Sequence, residues 1–164
     1  MAGIEAPMET LRETVRGEWT DYNGHMNLAY FVLIFDLATD SFYSKFGLGE
    51  DYCRRTGHST FAVESHTNYL AEVLEAAAVR CTTQLLGFDE KRVHYFHRMY
   101  REDDGALAAT MELMAVHVDL GVRRVAPMPD DIQGRLGEIF LAHAPLDRPP
   151  QVGRVMHLGN PVRK

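Results

Sequence analysis

The segment from residue 28 to residue 46 carries apolar side chains at steps of three and four residues. These positions are Leu28, Phe31, Phe35, Ala38, Phe42 and Phe46. This spacing places them on one face of an α-helix. The face is widened by Val32, Leu33, Ile34 and Leu37, and the residues left for solvent are Asp36, Thr39, Asp40 and Lys45. The pattern predicts a long, mostly buried helix that ends at Gly47 and Gly49.

The period changes from about 3.6 residues to 2 after this helix, which is typical of β-strands. Residues 59–70 alternate, with Phe61, Val63 and Tyr69 on one face and Glu64, His66 and Asn68 on the other. Residues 78–88, 91–101 and 105–120 continue the alternation, separated by turn signals at Asp89-Glu90 and Asp103-Asp104-Gly105. We therefore expect a meander of four strands. An earlier strand is predicted over residues 11–19, and one short helical turn over residues 51–58.

The composition changes after Asp119. Pro127 and Pro129 introduce Asp130-Asp131, a predicted cap for an amphipathic helix over residues 132–143. Residues 144–164 lack a period and are predicted to form a tail that either drapes on a neighbour or stays mobile.

The order of elements indicates an α+β fold in which a curved antiparallel sheet wraps around one long helix. We expect a single domain over residues 1–164, with a core at about 10–120 and the C-terminal helix and tail at 127–164. One helix leaves sheet edges uncovered, so a homodimer or homotetramer is expected.

The charge balance and the cysteine content limit which partners and which cellular compartment are expected. Seventeen basic and twenty-three acidic residues give a net charge of −6, and the basic residues are scattered, which argues against nucleic acid. Without a signal peptide or an apolar run of about 18 residues, the chain is expected to be cytoplasmic and to have no membrane partner. Cys53 and Cys81 lack ligand spacing, and so do His94, His97 and His117. Reduced thiols, hydrogen-bonded sheet histidines and no metal are therefore expected.

The string D-Y-N-G-H-M-N, residues 21–27, precedes the long helix and concentrates polar side chains. Asn27 is a good helix cap, and the backbone N–H groups of Leu28, Ala29 and Tyr30 would form a site for an oxygen that becomes negative during acyl transfer. Asp21 is placed to act as nucleophile or to activate water, with Asn23 and His25 orienting it or the substrate. Gly24 allows a close backbone approach or a positive φ. On residue types alone, an ordinary polar turn explains the string equally well.

The same string, followed by x-x-x-Y, a long apolar helix and a β-meander, resembles the signature of hot-dog-fold thioesterases. Asp21 and Gly24 match the Asp-x-x-Gly spacing of the 4-hydroxybenzoyl-CoA thioesterase type. That resemblance implies that Asp21 is the catalytic carboxylate and that the helix start polarises the thioester carbonyl. The D-x-N-x-H-V-N string of plant acyl-acyl-carrier-protein thioesterases is also similar, with Met26 in place of Val. Related hydratases space their Asp and His one residue further apart, which disfavours water addition.

Residues 18–40 and 87–119 resemble the betainyl-CoA thioesterases that accompany L-carnitine dehydrogenase. This resemblance implies hydrolysis of a small acyl-CoA, with the CoA thioester as substrate and no cofactor. A thioesterase for an aromatic or longer acyl chain and a non-catalytic acyl-CoA-binding or scaffold subunit remain alternatives. The latter would need the helix start but not the carboxylate.

Further candidates surround this string. Glu64 is either a second carboxylate that orients His25 or water, or part of a solvated face. Trp19, Tyr22 and Tyr30 form either an aromatic cage for a quaternary ammonium or ordinary apolar packing. Candidates for the CoA phosphates are Lys91, Arg92, Arg98 and Arg101, each of which is otherwise an ordinary solvated strand residue.

Overall fold

A computed structural model describes residues 3–158. Its strands are β1 Met8–Thr14, β2 His58–Tyr69, β3 Ala78–Phe88, β4 Arg92–Arg101, β5 Leu107–Asp119 and β6 Arg124–Val125. Its α-helices are α1 Leu28–Phe46, α2 Glu50–Thr56 and α3 Asp130–His143, and a 3-10 turn covers Gly17–Trp19. The predicted α+β class is confirmed.

The strands form one antiparallel sheet in the order β1-β3-β4-β5-β2, with β6 added to β5. The meander prediction is confirmed for β3, β4 and β5. It was wrong for β2, which pairs with β5 rather than with the next strand in sequence. Residues 70–77 carry the chain from β2 at one edge to β3, which lies beside β1 at the other. This crossover leaves one side of β2 without a strand partner in the described part of the chain.

Helix α1 has the bounds that the periodicity predicts. The Asn27 side chain accepts a hydrogen bond from the Ala29 N–H, and Gly47 closes the helix in the left-handed conformation with φ 94°. The helix packs on β1, β3 and β4 and buries Phe31, Phe35 and Phe42. The apolar face is narrower than predicted, since the exposed residues include Val32, Leu33 and Leu37.

The predicted bounds of two elements were wrong. The first strand ends at Thr14 rather than continuing to residue 19, because Gly17–Trp19 turns the chain toward the 21–27 string. Helix α3 begins at Asp130, so Asp130 and Asp131 are its first residues and not its cap. Both carboxylates still lie at the positive end of the helix dipole.

A β-bulge in β2 changes which of its residues share a face. Ala62 pairs with Ala115 and Glu64 with Met114, so Val63 is an extra residue without a partner on β5. Phe61, opposite Val116, therefore lies on the same face as Glu64 and His66 rather than on the opposite face.

Tyr95 and His97 define the sheet face that contacts α1. The Tyr95 hydroxyl is 2.9 Å from that of Tyr43, and His97 Nε2 is 2.9 Å from Thr39 Oγ1. Thr39 is therefore buried, contrary to prediction. His97 Nδ1 is also hydrogen-bonded to Thr83, and its complete burial lowers the pKa of His97 to about 3.

The segment after α3 covers the opposite face of the sheet. Gln84 Nε2 donates to the Asp147 carbonyl, and the Gly153 N–H donates to Glu112 Oε2 at 2.7 Å. The predicted tail thus packs on its own chain at these points, while its residues 159–164 lie outside the described part. Within residues 3–158 no helix is long and apolar enough to cross a membrane.

Candidate active site

Backbone hydrogen bonds fold residues 19–27 into a narrow loop ahead of α1. The Asp21 N–H donates to the His25 carbonyl at 3.1 Å, and the Gly24 N–H donates to the Asp21 carbonyl at 2.9 Å. Gly24 has a φ of 82°, so of the two conformational roles expected for this glycine the positive φ is the one observed. The Asn27 N–H donates to the Trp19 carbonyl, and the Met26 N–H donates to the Val73 carbonyl at 2.7 Å. These bonds tie the loop to the sheet crossover and fix it against the helix start.

The Asp21 carboxylate is half-buried and is held by its own loop. Its Oδ1 accepts a hydrogen bond from the Asn23 N–H at 2.8 Å. The other oxygen, Oδ2, has no hydrogen-bond partner among residues 3–158. Asn23 thus contacts the Asp21 carboxylate through its backbone N–H.

The start of α1 offers fewer N–H groups than predicted. The Ala29 N–H is taken by the Asn27 side chain at 3.0 Å, and the Tyr30 N–H by the Asn27 carbonyl at 3.0 Å. Within the described chain, the Leu28 N–H has no hydrogen-bond acceptor. Of the three N–H groups predicted to contact an oxyanion, the one that remains available among the described residues is that of Leu28, at the positive end of the helix dipole.

Asp21 and Leu28 line a depression of about 310 Å³, which we call the loop depression. It is also lined by His25, Met26, Asn27, Phe31, Tyr69, Ala71 and Glu72. Tyr69 stands edge-on to Phe31, with ring centroids 5.3 Å apart. The contributions of Ala71 and Glu72 were missed, because the irregular crossover at residues 70–77 carries no periodic signal.

The predicted aromatic cage does not form within the chain. Trp19 is 4% exposed and stacks on Tyr30 at 5.5 Å, with the Arg16 guanidinium 4.7 Å from its ring centroid. Tyr22 is 98% exposed. Because Trp19 and Tyr30 cover each other and Tyr22 points into solvent, the three rings enclose no common space.

Three other predicted site residues lie away from the loop depression. Glu64 is on the sheet face opposite α1, beside His94 and Glu112. Arg92 and Arg98 share that face, paired with Val116 and Thr110. Arg92 is bonded to Asp89 at 2.7 Å, and Arg98 donates to Gln84 at 3.1 Å. Their roles toward the substrate or CoA stay predictions.

The sheet histidines are hydrogen-bonded, as predicted. His94 is 2.8 Å from Glu112, and His117 contacts the Tyr52 hydroxyl at 2.9 Å. Burial lowers the pKa of His117. Among the residues described, no three His, Cys, Asp or Glu side chains are grouped to hold a metal ion.

A long helix packed on a curved antiparallel sheet, with a carboxylate loop at the helix start, is the hot-dog architecture of thioester hydrolases. Residues 15–136 match the model of the thioesterase-like superfamily, and the chain belongs to that family.

Individual relatives agree with this classification. The chain is 41% identical to a betainyl-CoA thioesterase of Pseudomonas aeruginosa, over 95% of this chain and 98% of the relative. It is 35% identical to an L-carnitine dehydrogenase/betainyl-CoA thioesterase of Rhizobium meliloti, over 93% of this chain but 30% of that protein. A Staphylococcus aureus protein solved in complex with CoA superposes with a TM-score of 0.86 at 25% identity, over 96% of this chain and 99% of the other.

Proposed function

We propose that the protein is an acyl-CoA thioesterase that hydrolyses betainyl-CoA to betaine and CoA. The observation that carries the proposal is the Asp21 carboxylate in one depression with the Leu28 N–H at the start of α1. The identity of 41% to a betainyl-CoA thioesterase supports the choice of acyl group. The reaction consumes one water, breaks the C–S bond and forms a C–O bond.

In this proposal the Leu28 N–H donates to the thioester oxygen, which gains negative charge as the carbonyl carbon becomes tetrahedral. Asp21 then acts by one of two routes. It either takes a proton from the attacking water or attacks the carbonyl carbon itself, forming an anhydride that water hydrolyses. In the first route the departing sulfur takes up the proton that Asp21 removed from water. In the second route CoA leaves as the thiolate, and the water that hydrolyses the anhydride supplies the proton that completes the thiol. His25 lines the same depression and orients the water or the carboxylate.

The enzyme is further proposed to be a homodimer formed through β2. This edge strand exposes the apolar side chains of Phe61 and Val63, which are 43% and 57% exposed. Antiparallel pairing of two β2 strands about a twofold axis satisfies both edges at once. We also propose that the dimer is cytoplasmic.

The test is a thiol-release assay with the purified protein over four substrates: betainyl-CoA, acetyl-CoA, 4-hydroxybenzoyl-CoA and palmitoyl-CoA. We expect the largest kcat/KM for betainyl-CoA. A preference for the aromatic or long-chain substrate would overturn the choice of acyl group and leave a thioesterase. Thermal stabilisation by acyl-CoA without any thiol release would instead indicate a binding subunit.

A further inference from the structure

The shape of the betainyl group limits where its positive charge can be recognised. A single methylene joins the quaternary nitrogen to the carbonyl carbon, so the two atoms lie close together in every conformation of the acyl group. With the carbonyl at Asp21 and the Leu28 N–H, the N-methyl groups must lie in the loop depression as well. The side chains that contact the cation therefore belong to the residues that line this depression.

Most of the side chains in the lining offer a cation little. Met26 and Phe31 are buried, and the side-chain oxygen of Asn27 already accepts a backbone N–H of α1. Leu28 and Ala71 are aliphatic. These five residues can pack against the acyl group, but they carry neither an available charge nor an open aromatic ring.

Four other side chains complete the lining: Asp21, His25, Tyr69 and Glu72. Asp21 is engaged in the reaction at the carbonyl. The imidazole of His25 becomes positive on protonation and would then repel the cation. The open aromatic ring and the second carboxylate that suit a quaternary ammonium are therefore those of Tyr69 and Glu72.

Tyr69 has an aromatic surface that a ligand can reach. It is the last residue of β2, and its side chain is 47% exposed, whereas Trp19 is buried. Phe31 stands edge-on to it, with ring centroids 5.3 Å apart and an interplanar angle of 82°. In an edge-on pair neither ring covers both faces of the other. The contact thus supports the Tyr69 ring and leaves a face on which N-methyl groups can pack.

The Glu72 carboxylate is exposed and is not taken up by the protein. Its side chain makes no ion pair or hydrogen bond with any residue between 3 and 158. The Arg101 guanidinium attracts its charge, but Arg101 donates to the Glu72 backbone carbonyl at 2.9 Å and is itself paired with Asp104. No Lys or Arg belongs to the lining, so the loop depression carries negative charge only.

Backbone hydrogen bonds on both sides of Glu72 fix its place beside the catalytic loop. The Ala71 N–H donates to the Ala108 carbonyl at 3.1 Å, and the Val73 carbonyl accepts the Met26 N–H at 2.7 Å. The second bond joins the residue after Glu72 directly to the 19–27 loop. Glu72 is therefore held at a set position next to the reacting groups, although it belongs to an irregular segment.

We propose that Tyr69 and Glu72 bind the trimethylammonium of betainyl-CoA while its carbonyl lies at Asp21 and Leu28 of the same chain. The Tyr69 ring packs against the N-methyl groups, and the Glu72 carboxylate supplies the opposite charge. Both are determinants of specificity and take no part in bond making or breaking. The inference rests on the proposed function and adds the recognition of the acyl group.

The first experiment compares betainyl-CoA with 3,3-dimethylbutyryl-CoA, in which carbon replaces the charged nitrogen. The readout is the ratio of the two kcat/KM values, because contributions of the shared CoA portion and of the reacting groups cancel in it. Glu72→Gln should lower this ratio about 10-fold, and Tyr69→Leu about 5-fold. Melting temperatures check the fold of each variant.

Two matched variants serve as controls. Glu75→Gln removes an exposed carboxylate from the same crossover, outside the loop depression, and should keep the ratio within about twofold because solvent and salt screen its charge. Tyr69→Phe keeps the ring and should also keep the ratio. An unchanged ratio in Glu72→Gln, or an equal fall in Glu75→Gln, would overturn the inference.

Malonyl-CoA provides a test of opposite sign, since it carries a carboxylate where the betainyl group carries the ammonium. Used as a competitor of betainyl-CoA hydrolysis, it should bind about 3-fold more tightly to Glu72→Gln than to the wild type, because a like charge has been removed. A merely structural defect would weaken the binding of both ligands. Weaker or unchanged binding of malonyl-CoA would overturn the role assigned to Glu72.

The wild-type rate separates this inference from the proposed function. If the wild-type enzyme releases thiol from betainyl-CoA and the ratio is insensitive to Glu72, the inference fails and the substrate stands. If the wild-type enzyme releases no thiol from betainyl-CoA, the proposed substrate and the inference are refuted together.

Discussion

The loop depression lies at the start of α1, and a second cavity of about 440 Å³ lies beside the carboxyl-terminal half of this helix. We call the second one the acidic cavity because Asp36, Asp40 and Glu50 line it. At the helix start, the Leu28 N–H and the Asp21 carboxylate are held by backbone hydrogen bonds of residues 19–27. In the acidic cavity, charge comes from side chains one helical turn apart, Asp36 and Asp40, and the walls come from distant strands. The first arrangement is held by contacts within one short segment, whereas the second depends on how α1 packs against the sheet.

This difference should separate effects on rate from effects on stability. Changes at Asp21 and Leu28 in the loop depression should lower turnover for every thioester, because all of them develop charge on the same oxygen. Changes to the packed residues near the acidic cavity should act on the free energy of unfolding. The predictions below test this division, beginning with the largest effect.

Replacing Asp21 by Asn should lower kcat by about 1,000-fold or more on every substrate that the enzyme accepts, because an amide neither takes a proton from water nor attacks the carbonyl. Asn retains an oxygen that can accept the Asn23 N–H, so the loop should keep its shape. Thiol release measures the loss, and circular dichroism and the melting temperature check the fold. Turnover within tenfold of wild type would remove Asp21 from the mechanism.

Replacing Leu28 by Pro should lower kcat by about 100- to 1,000-fold, because it deletes the one N–H assigned to the oxyanion. Proline is well tolerated at the first position of a helix, and Asn27 already has the φ −66° and ψ 146° that suit a residue before proline. Leu28→Ala is the matched control, since it keeps the N–H and removes only an exposed side chain. Equal rates for the two variants would contradict the oxyanion assignment.

The predictability of these two regions from sequence differs for physical reasons. The bounds of α1 and the loop at its start follow from local signals: the apolar period, the Asn27 cap, Gly47 and the positive φ of Gly24. The acidic cavity depends on contacts between residues far apart in the chain. On sequence alone, Asp36 and Asp40 resemble the wet face of a helix, and only the packed sheet brings Tyr95 beside them.

Errors in the sequence analysis have the same origin. A period of two cannot show a bulge, so Phe61 was assigned to the wrong face of β2. Nearness in sequence does not tell whether aromatic rings enclose a ligand or cover each other, as Trp19 and Tyr30 do. Conversely, β3, β4 and β5 were predicted well because turn residues separate strands that pair with their sequence neighbours.

His97 connects the sheet to α1 near the acidic cavity and should make stability depend on pH. The pKa of His97 in the folded chain, about 3, lies below the ordinary histidine value of about 6.5, so between these values the unfolded chain binds more protons. The free energy of unfolding should therefore rise with pH in this window. His97 should contribute up to about 1.4 kcal/mol per pH unit to this rise. Burial also lowers the pKa values of His117 and His143, which contribute with the same sign.

The measurement is denaturant unfolding between pH 5.5 and 6.5 at one protein concentration, above the range where most carboxylates titrate. The His97→Gln variant should show a shallower slope of free energy against pH, even if it is less stable throughout. Met99→Ala, at a fully buried position on the same strand without a titratable group, is the control for lowered stability and should keep the wild-type slope. A wild-type slope in the His97 variant would contradict the assignment.

The smallest expected effect concerns the backbone of the catalytic loop. An added Cβ at Gly24 meets nothing within 4 Å, so Gly24→Ala tests the φ of 82° without a clash. Holding alanine in this conformation should cost about 1 kcal/mol of stability. Gly134→Ala is the matched control, since it lies inside α3 in equally open space and should gain about 0.5–1 kcal/mol. If the loop of the Gly24→Ala variant instead changes conformation to avoid the positive φ, Asp21 is displaced and turnover should fall. Unchanged stability with unchanged turnover would show that the positive φ is not needed to hold Asp21 beside Leu28.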